Sequence, residues 1–359
     1  MIVSLGERSY PVTIAYPAIH AIDYHALLAP HLKNKQVAII TNELVWSLHG
    51  KQLSDLLNMA STTCGVLPDG EQHKSLDSVT HILDHLIHDE HTRQTTLISF
   101  GGGVITDITG FVASIYQRGV SVIHIPTTLL AQVDACIGGK TGINYDGIKN
   151  TIGTFYQPQA VIIDGQWLST LPAREYQSGL AEIIKMALAF DVDFFNWLEK
   201  NAERLLQREP DSVLYAINRC CELKSYIVTQ DECDNHIRAL LNLGHTFAHA
   251  IESGLNYACL HGEAVAIGLV LAAKLSVNLQ YLSASDAHRI EKILHEWQLP
   301  THIPKAVTSD DLWRAMAKDK KNTTAGLQFI ILQKIGQAHR MVIEKQHVMA
   351  LLEQELSCR

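Results

Sequence analysis

The sequence lacks an apolar run long enough to cross a membrane. Its longest apolar stretch, residues 264–273, is stopped by Lys274, whereas a transmembrane helix needs roughly 18–20 such residues. The first residues, MIVSLGERSYPVTIA, also lack the basic segment and apolar core of a secretory signal peptide. We therefore expect a cytoplasmic protein that has no membrane partner.

Basic residues are too few for a typical nucleic-acid-binding protein. The chain has 29 Lys and Arg against 37 Asp and Glu, which gives a formal net charge of −8. Because nucleic-acid partners usually require a basic surface, we expect none. An anionic small molecule would instead need a local pocket of Lys and Arg.

The cysteine pattern argues against a disulfide framework. The chain has seven cysteines, an odd number, and no CxxC pair. Reduced and mostly buried thiols are typical of this pattern.

The order of hydrophobic patterns predicts two domains in the 359 residues. Before Pro172, short β-rich runs alternate with amphipathic stretches, which is typical of a parallel sheet covered on both faces. After it, helical periodicity dominates, with one strand-like run at 327–332. We predict an α/β domain at 1–172 and an all-α domain at 173–359. The predicted strands are 11–15, 36–41, 95–100, 120–125 and 160–163. The predicted helices include 75–88, 104–115, 175–190, 193–206, 212–230, 240–252, 263–282 and 287–297.

A glycine-rich turn, SFGGGVITDITG at 99–110, joins a predicted strand to a helix. Glycines let backbone N–H groups approach a phosphate, and a helix N-terminus adds a favourable dipole. The turn is not a GxGxxG fingerprint, because Thr106 stands where the third glycine would fall. By itself it fits pyrophosphate binding and an ordinary tight turn equally well.

Two other loops carry polar groups that suit a nucleotide or a phosphate. The segment DGEQHK at 69–74 offers a carboxylate and an ammonium. Many surface turns that cap a helix have the same kinds of residues, so this segment is not specific by itself. The segment GGKTGIN at 138–144 is not a Walker loop, because Asp134 stands where that motif needs its first glycine. What remains is a glycine-rich turn in which Lys140, Lys149 and Asn150 can hold a phosphate or a polyol.

Histidines and a glutamate lie in patterns typical of a metal site. In LGHTFAHAIE, His245 and His249 are four residues apart and share one helix face. His261 opens the next helical segment, and Glu182 and Lys185 share one face of an apolar segment. Two histidines and a carboxylate can hold a divalent cation with an open position. The spacing alone leaves open which histidines are ligands, and such a pair in a histidine-rich chain is more often structural.

A further set of basic and amide residues suits an anionic ligand. Arg238 and Asn242 are one helical turn apart and precede His245 by about one turn more. Together with Lys224 they can form a fork for a carboxylate beside a metal. The charge run KDKK at 318–321 is, by itself, more typical of a solvated surface.

Taken together, these segments resemble the 3-dehydroquinate synthase family, and the resemblance covers nearly the whole chain. Their order and spacing match along the sequence. The matching stretches are LPDGEQHKS, SFGGGVITDITGF, YQRG, PTTLLAQVD, GGKT, KNTIGTFYQP, SGLAEIIK, RCCELK, RALLNLGHTFAHAIE and LHGEAVAIG.

The resemblance implies a dehydroquinate synthase-like architecture, with a Rossmann-like NAD domain followed by a helical metal- and substrate-binding domain. It implies catalytic NAD⁺ and a Zn²⁺ or Co²⁺ ion held by Glu182, His245 and His261. The implied catalytic residues are His249, Lys185 and Asp134. The implied NAD-contacting residues are Asn42, Asp69, Gly70, Glu71, Gln72, His73, Lys74, Gly103, Val104, Ile105, Thr106, Asp107, Thr127, Thr128, Lys140, Lys149, Trp167, Leu168, Ser169 and Thr170. The implied substrate-contacting residues are Arg118, Asn150, Lys224, Arg238, Asn242 and Lys320.

The family reaction converts 3-deoxy-D-arabino-heptulosonate 7-phosphate to 3-dehydroquinate and phosphate, a step of aromatic amino acid biosynthesis. The resemblance implies that Arg118 reaches the substrate phosphate from the partner subunit, so we expect a homodimer. The chain departs from the family pattern at a few places but keeps every expected metal ligand, phosphate ligand and base. The departures are Thr106, Ala135, Cys136, Met186, Ala187 and Asp234.

Three other functions are weighed against this one. Another sugar-phosphate cyclase of the same fold would have no use for the carboxylate fork of Lys224, Arg238 and Asn242. A metal-dependent polyol dehydrogenase would need no phosphate cluster and would release NADH. A metal hydrolase without nicotinamide would leave the glycine-rich turn at 99–110 and the DGEQHK segment at 69–74 unexplained.

Overall fold

The computed structural model describes residues 1–32, 36–57, 62–318 and 327–357. Lys320, expected to contact the phosphate, lies outside these residues. The chain forms two compact units. The first is Met1–Pro172 with Val213–Cys233, and the second is Ala173–Ser212 with Asp234–Arg359. The predicted boundary also falls after Pro172, but it places 213–233 in the second domain, whereas the structure groups that segment with the first unit.

The first unit is built on a mostly parallel sheet. Its strands are β1 (Ile2–Val3), β2 (Tyr10–Ala15), β3 (Val37–Asn42), β4 (Thr62–Leu67), β5 (Thr96–Gly101), β6 (Ser121–Pro126), β7 (Lys140–Tyr145), β8 (Ile148–Phe155) and β9 (Ala160–Asp164). Seven of them form one sheet in the order β1-β2-β9-β6-β5-β3-β4, in which only β1 pairs antiparallel. The parallel sheet predicted from the apolar runs is therefore confirmed.

Helices cover both faces of this sheet because its central strands are buried on both sides. The helices are α1 (Tyr24–Leu28), α2 (Glu43–Leu57), α3 (Leu76–His88) and α4 (Gly103–Ile115). Alternate residues of β3 point to opposite faces: Ala38 and Ile40 join one apolar cluster, Val37 and Ile39 the other.

Strands β7 and β8 form a separate antiparallel hairpin that the apolar pattern did not predict. Burial along β8 is mixed, and Ile148 and Phe155 are exposed. A strand without a consistently buried face leaves little periodic signal in the sequence.

The second unit is largely helical. Its elements are α5 (Ala173–Phe190), α6 (Val192–Lys200), α7 (Ala202–Leu206), the start of α8 (Pro210–Gln230), α9 (His245–Gly254), α10 (His261–Asn278), α11 (Ala284–Glu296), α12 (Ser309–Ala317) and α13 (Lys345–Ser357), with a hairpin of β10 (Leu327–Lys334) and β11 (Gln337–Ile343). No helix in the described ranges is both long and apolar enough to span a membrane.

The single helix predicted at 240–252 is wrong. The structure has a 3-10 helix, Ile237–Asn242, and then α9, which begins at His245. The break falls at Gly244, whose φ of +78° lies in the left-handed region that glycine adopts without strain. This break sets the direction in which α9 leaves the preceding turn.

Candidate active site

Three side chains of the second unit converge on one point. Nε2 of His245 lies 3.6 Å from Oε1 of Glu182, and Nε2 of His261 lies 3.4 Å from the same oxygen. Tetrahedral zinc with bonds of about 2.0–2.1 Å would separate its ligand atoms by about 3.3–3.5 Å. Within the described ranges, these residues form the one group of metal-type donors with ligand atoms within 4.8 Å of one another. The donor set therefore fits a divalent cation.

The triad joins three helices that pack through glycine. A Cβ on Gly262, at the start of α10, would lie 1.9 Å from the backbone oxygen of Ser178 on α5. A Cβ on Gly268 would lie 2.2 Å from the backbone oxygen of Gly244, which precedes α9. Because glycine has no side chain, the backbones approach closely and bring Glu182, His245 and His261 together.

The electrostatics around the two imidazoles differ. Burial lowers the pKa of His245 to about 3. Burial also acts to lower the pKa of His261, but hydrogen bonds to the carboxylates of Glu182 and Glu252 outweigh it and raise the pKa to about 9. The two carboxylates therefore favour a positive charge at His261, whereas the buried imidazole of His245 stays neutral at neutral pH.

Two further predicted catalytic residues lie beside the triad. Nζ of Lys185 is 2.5 Å from Oε2 of Glu182, so the two oxygens of that carboxylate face different partners. The ring of His249 is exposed, and its centroid lies 5.5 Å from that of His245 and 6.3 Å from that of His261. His249 is therefore adjacent to the donor set but outside it.

Glu252 is a residue of this site that the sequence reasoning missed. Its side chain is 1% exposed, and Oε1 lies 3.1 Å from Nδ1 of His261. Glu252 comes seven residues after His245, which places both on one face of α9 because two helical turns span about seven residues. That spacing could have shown that Glu252 shares a helix face with His245, but not that its carboxylate meets the ring of His261.

In the first unit, the expected cofactor residues follow the carboxyl ends of parallel strands, which meet at one edge of the sheet. Asn42 ends β3, Asp69 follows β4, and Nδ2 of Asn42 donates to Oδ1 of Asp69 at 2.5 Å. Thr127 follows β6, and Trp167 and Thr170 follow β9. Open α/β sheets bind ligands outside this edge.

The glycine-rich turn leads directly into α4 at the same edge. Gly102 is the residue before the helix, and no side chain caps its first N–H groups. A Cβ on Gly102 would lie 3.0 Å from Cγ2 of Thr128. Thr106 fits into the first turn, where its hydroxyl donates to the carbonyl of Gly103 at 2.9 Å. The arrangement leaves a helix N-terminus facing the edge where an anion would bind.

Lys74 links the DGEQHK loop to two other segments of the first unit. Its ammonium donates to Oδ2 of Asp107 and to Oδ1 of Asn150, both at 2.5 Å. Burial raises the pKa of Asp107, and the Lys74 ammonium opposes that effect. Glu71 accepts from Nδ2 of Asn144 at 2.9 Å and lies 3.7 Å from Nζ of Lys149. The structure thus joins an expected cofactor loop to Asn150, an expected phosphate ligand.

Lys224 and Asp134 form a pair in the first unit, in which the lysine is buried and the aspartate is half-buried. The Lys224 ammonium donates both to the side chain and to the backbone carbonyl of Asp134. The sequence assigned them different roles, one for the substrate carboxylate and one for catalysis.

The remaining predicted site residues differ in how far they are exposed to solvent. Arg118 is exposed at φ +65°. Arg238 is 1% exposed, and Asn242 donates to the carbonyl of Ala239 at 3.0 Å. Trp167 is buried: its indole lies in the apolar core, where the ring N–H donates to the hydroxyl of Tyr24.

Known structures define the class of protein to which this fold belongs. The fold is that of a sugar-phosphate cyclase: 2-epi-5-epi-valiolone synthase from Streptomyces hygroscopicus subsp. jinggangensis, solved with NAD⁺ and Zn²⁺ bound, superposes with a TM-score of 0.90 at 29% identity. The alignment covers 99% of each chain.

Sequence comparison narrows this class to one family. Profiles of the 3-dehydroquinate synthase N-terminal and C-terminal regions match residues 64–178 and 179–322. A 3-dehydroquinate synthase of Teredinibacter turnerae is 48% identical over 94% of this chain and 93% of its own. One from Pseudoalteromonas translucida is 46% identical over 98% and 99%. The chain belongs to the 3-dehydroquinate synthase family.

Proposed function

We propose that this protein converts 3-deoxy-D-arabino-heptulosonate 7-phosphate to 3-dehydroquinate and phosphate, using catalytic NAD⁺ and one Zn²⁺ or Co²⁺ ion. This is a carbon–oxygen bond cleavage with loss of phosphate in aromatic amino acid biosynthesis. The observation that carries the proposal is the buried Glu182–His245–His261 donor set in a chain 48% identical to a 3-dehydroquinate synthase over 94% of its length.

The protein side chains would bind the groups and move protons around them. When bound, the cation polarises substrate hydroxyls and NAD⁺ accepts and returns a hydride. Glu182, His245 and His261 would hold the cation, and the sheet edge with the α4 N-terminus would hold the dinucleotide. His249, exposed beside the triad, would exchange protons with the substrate. Lys185 would keep Oε2 of Glu182 engaged, so that Oε1 remains directed at the cation.

The substrate class follows from the charged residues. Arg118, Asn150 and Lys320 would hold the phosphate. Lys224, Arg238 and Asn242 would hold a carboxylate, for which guanidinium and ammonium groups are suited. A cyclase acting on a sugar phosphate without a carboxylate would gain nothing from the last three. Their presence supports a heptulosonate substrate over the carboxylate-free alternatives.

The proposed assembly is a cytoplasmic homodimer. Arg118 is exposed and follows a left-handed Gln117, so its guanidinium projects from a tight turn. A side chain presented in this way can reach a site on a second subunit.

Phosphate release tests the proposed function. The enzyme is given the heptulosonate phosphate and NAD⁺, with and without a metal chelator, and both phosphate and NADH are measured. We expect chelator-sensitive phosphate release without net NADH. Stoichiometric NADH without phosphate would indicate a polyol dehydrogenase instead, and reaction only with carboxylate-free sugar phosphates would indicate another cyclase.

A further inference from the structure

Glu252 is a buried carboxylate to which the proposed function gives no role. Its side chain is 1% exposed, and Oε1 lies 3.1 Å from Nδ1 of His261. A buried carboxylate is costly unless a donor or a charge compensates for the lost water. The imidazole of His261 is such a partner, and its other nitrogen, Nε2, faces Glu182 at 3.4 Å.

The imidazole of His261 therefore lies between two carboxylates, one at each ring nitrogen. A metal ligand must present a lone pair, so Nε2 can bind a cation only when the remaining proton is on Nδ1. Oε1 of Glu252 is an acceptor at hydrogen-bond distance from Nδ1. This contact favours the tautomer in which Nε2 is free of a proton.

The second histidine of the triad offers a comparison within the same site. Nδ1 of His245 lies 3.1 Å from the backbone oxygen of Leu243, an uncharged acceptor. Both rings thus have an acceptor behind Nδ1, but only His261 has a charged one. A carboxylate raises the basicity of the opposite ring nitrogen more than a carbonyl does.

From this geometry we propose that Glu252 is a positioning residue of the metal centre. It holds Nδ1–H of His261, which fixes the ring and directs the Nε2 lone pair at the cation. The inference rests on the proposed function, because it requires that Glu182, His245 and His261 bind a metal. It adds a residue of α9 whose loss weakens the metal site without removing a ligand.

The test is metal affinity, measured by competition with a chromophoric zinc chelator on the full-length protein. In Glu252→Gln the amide keeps the shape but loses the charge and can offer a donor to Nδ1. We expect its Kd for Zn²⁺ to rise about 10- to 100-fold. Glu252→Asp keeps the charge on a shorter side chain, so its loss should be smaller.

Glu263→Gln is the matched control. Glu263 lies two residues after His261, caps the N–H of Leu260 at 2.9 Å and pairs with Arg174 at 2.6 Å. Its replacement perturbs the same helix start without touching the imidazole, so its Zn²⁺ affinity should stay near that of the wild type. Equal losses in Glu252→Gln and Glu263→Gln would overturn the inference in favour of general loosening of α10.

A spectroscopic measurement separates positioning from a loss of folding. In the Co²⁺-loaded wild type, the Nδ1 protons of His245 and His261 should give two exchangeable, strongly shifted proton resonances. In Glu252→Gln, or in Glu252→Asp if the former does not fold, one resonance should shift or broaden by exchange while the other remains. Two unchanged resonances and an unchanged Kd would contradict the role of Glu252. If the wild type itself bound no metal, the proposed function would fail and the inference with it.

Discussion

At the residue scale, the site depends on which of its histidines binds the metal and which moves protons. His249 shares a face of α9 with His245, but its ring is exposed and lies outside the donor set. We predict that His249→Ala keeps its full metal content and loses turnover by about 100-fold or more. Metal analysis and steady-state kinetics on the same preparation check this prediction. Loss of the metal from His249→Ala would mean that His249 is a metal ligand and not the base. His245→Ala is the comparison, because it should lose the metal.

Protonation of the buried His124 should lower the stability of the protein in acid. His124 is buried in β6, its Nδ1 lies 2.7 Å from the Ser99 hydroxyl, and burial lowers its pKa from 6.5 to about 4. The unfolded chain therefore binds this proton at higher pH than the folded one. The free energy of unfolding therefore falls by about 3 kcal/mol in total as the pH drops from 6.5 toward 4.

The variant His124→Asn should remove this part of the pH dependence, whatever its effect on stability at neutral pH. Denaturant unfolding at several pH values between 7 and 4 measures the difference from the wild type. His81→Asn, at an exposed site on α3, is the control for a surface histidine-to-asparagine change, and the difference between His124→Asn and the wild type should exceed the difference that this control shows. Parallel curves for His124→Asn and the wild type would show that His124 does not titrate as described.

The ligand set of Glu182, His245 and His261 followed from the resemblance to the family. Residue types and their spacing by themselves indicated a metal site but left open which histidines are its ligands. They were not enough to identify Glu252. A carboxylate at the end of an amphipathic helix is usually solvated, and only the packing of α10 against α9 brings the ring of His261 to it.

At the scale of elements, glycine contacts assemble the triad. Gly262 on α10 packs against the backbone of Ser178 on α5, where a Cβ would lie 1.9 Å from a carbonyl oxygen. We predict that Gly262→Ala lowers the free energy of unfolding by about 3 kcal/mol, since backbone cannot yield as a side chain does. It should also weaken metal binding, because His261 is the neighbouring residue.

The matched control is Gly254→Ala at the end of α9. The three atoms nearest to its new Cβ all belong to the side chain of Val307, the nearest at 3.0 Å. Thermal or denaturant unfolding should show a change of less than about 1 kcal/mol there. Equal losses of stability in Gly262→Ala and Gly254→Ala would contradict the role of the Gly262 contact in bringing the helices of the triad together.

The sequence predicts elements well where burial leaves a clear pattern, which is a continuous apolar run in β3 and β5 and one apolar face in α3. It fails where tertiary contacts decide. The helix predicted at 240–252 is broken because Gly244 approaches the backbone of Gly268, a contact between residues far apart in the sequence. The hairpin β7–β8 was missed because no residue of β8 is fully buried, so that strand has no apolar face to reveal it.

At the scale of the whole molecule, the alternation of strands and helices predicted the α/β first unit and the helical second unit. It could not predict that 213–233 would pack with the first unit, because helical periodicity shows which face is buried but not against what. Lys224 lies in this segment, and because the segment packs with the first unit, its ammonium can donate to Asp134 of that unit.

The proposed dimer gives a prediction for mixed assemblies. Arg118→Ala should lose most activity if its guanidinium serves the partner's site. Mixing it with His249→Ala should restore about a quarter of wild-type activity, because half of the dimers are mixed and each then holds one intact site. Differently tagged subunits allow the mixed dimers to be isolated and assayed. Inactive mixed dimers of verified composition would contradict a shared site.

In the proposed reaction, one active site oxidises and then reduces the same substrate carbon, so the fate of the hydrogen at that carbon is the sharpest test. Substrate carrying deuterium at C5 is turned over in excess over NAD⁺, and the deuterium is followed by mass spectrometry. We expect that phosphate is released only when NAD⁺ is present, that the carbocyclic product keeps the deuterium, and that labelled NADH does not accumulate. Deuterium lost from the product to free NADH, or phosphate release that needs no NAD⁺, would contradict the proposed reaction.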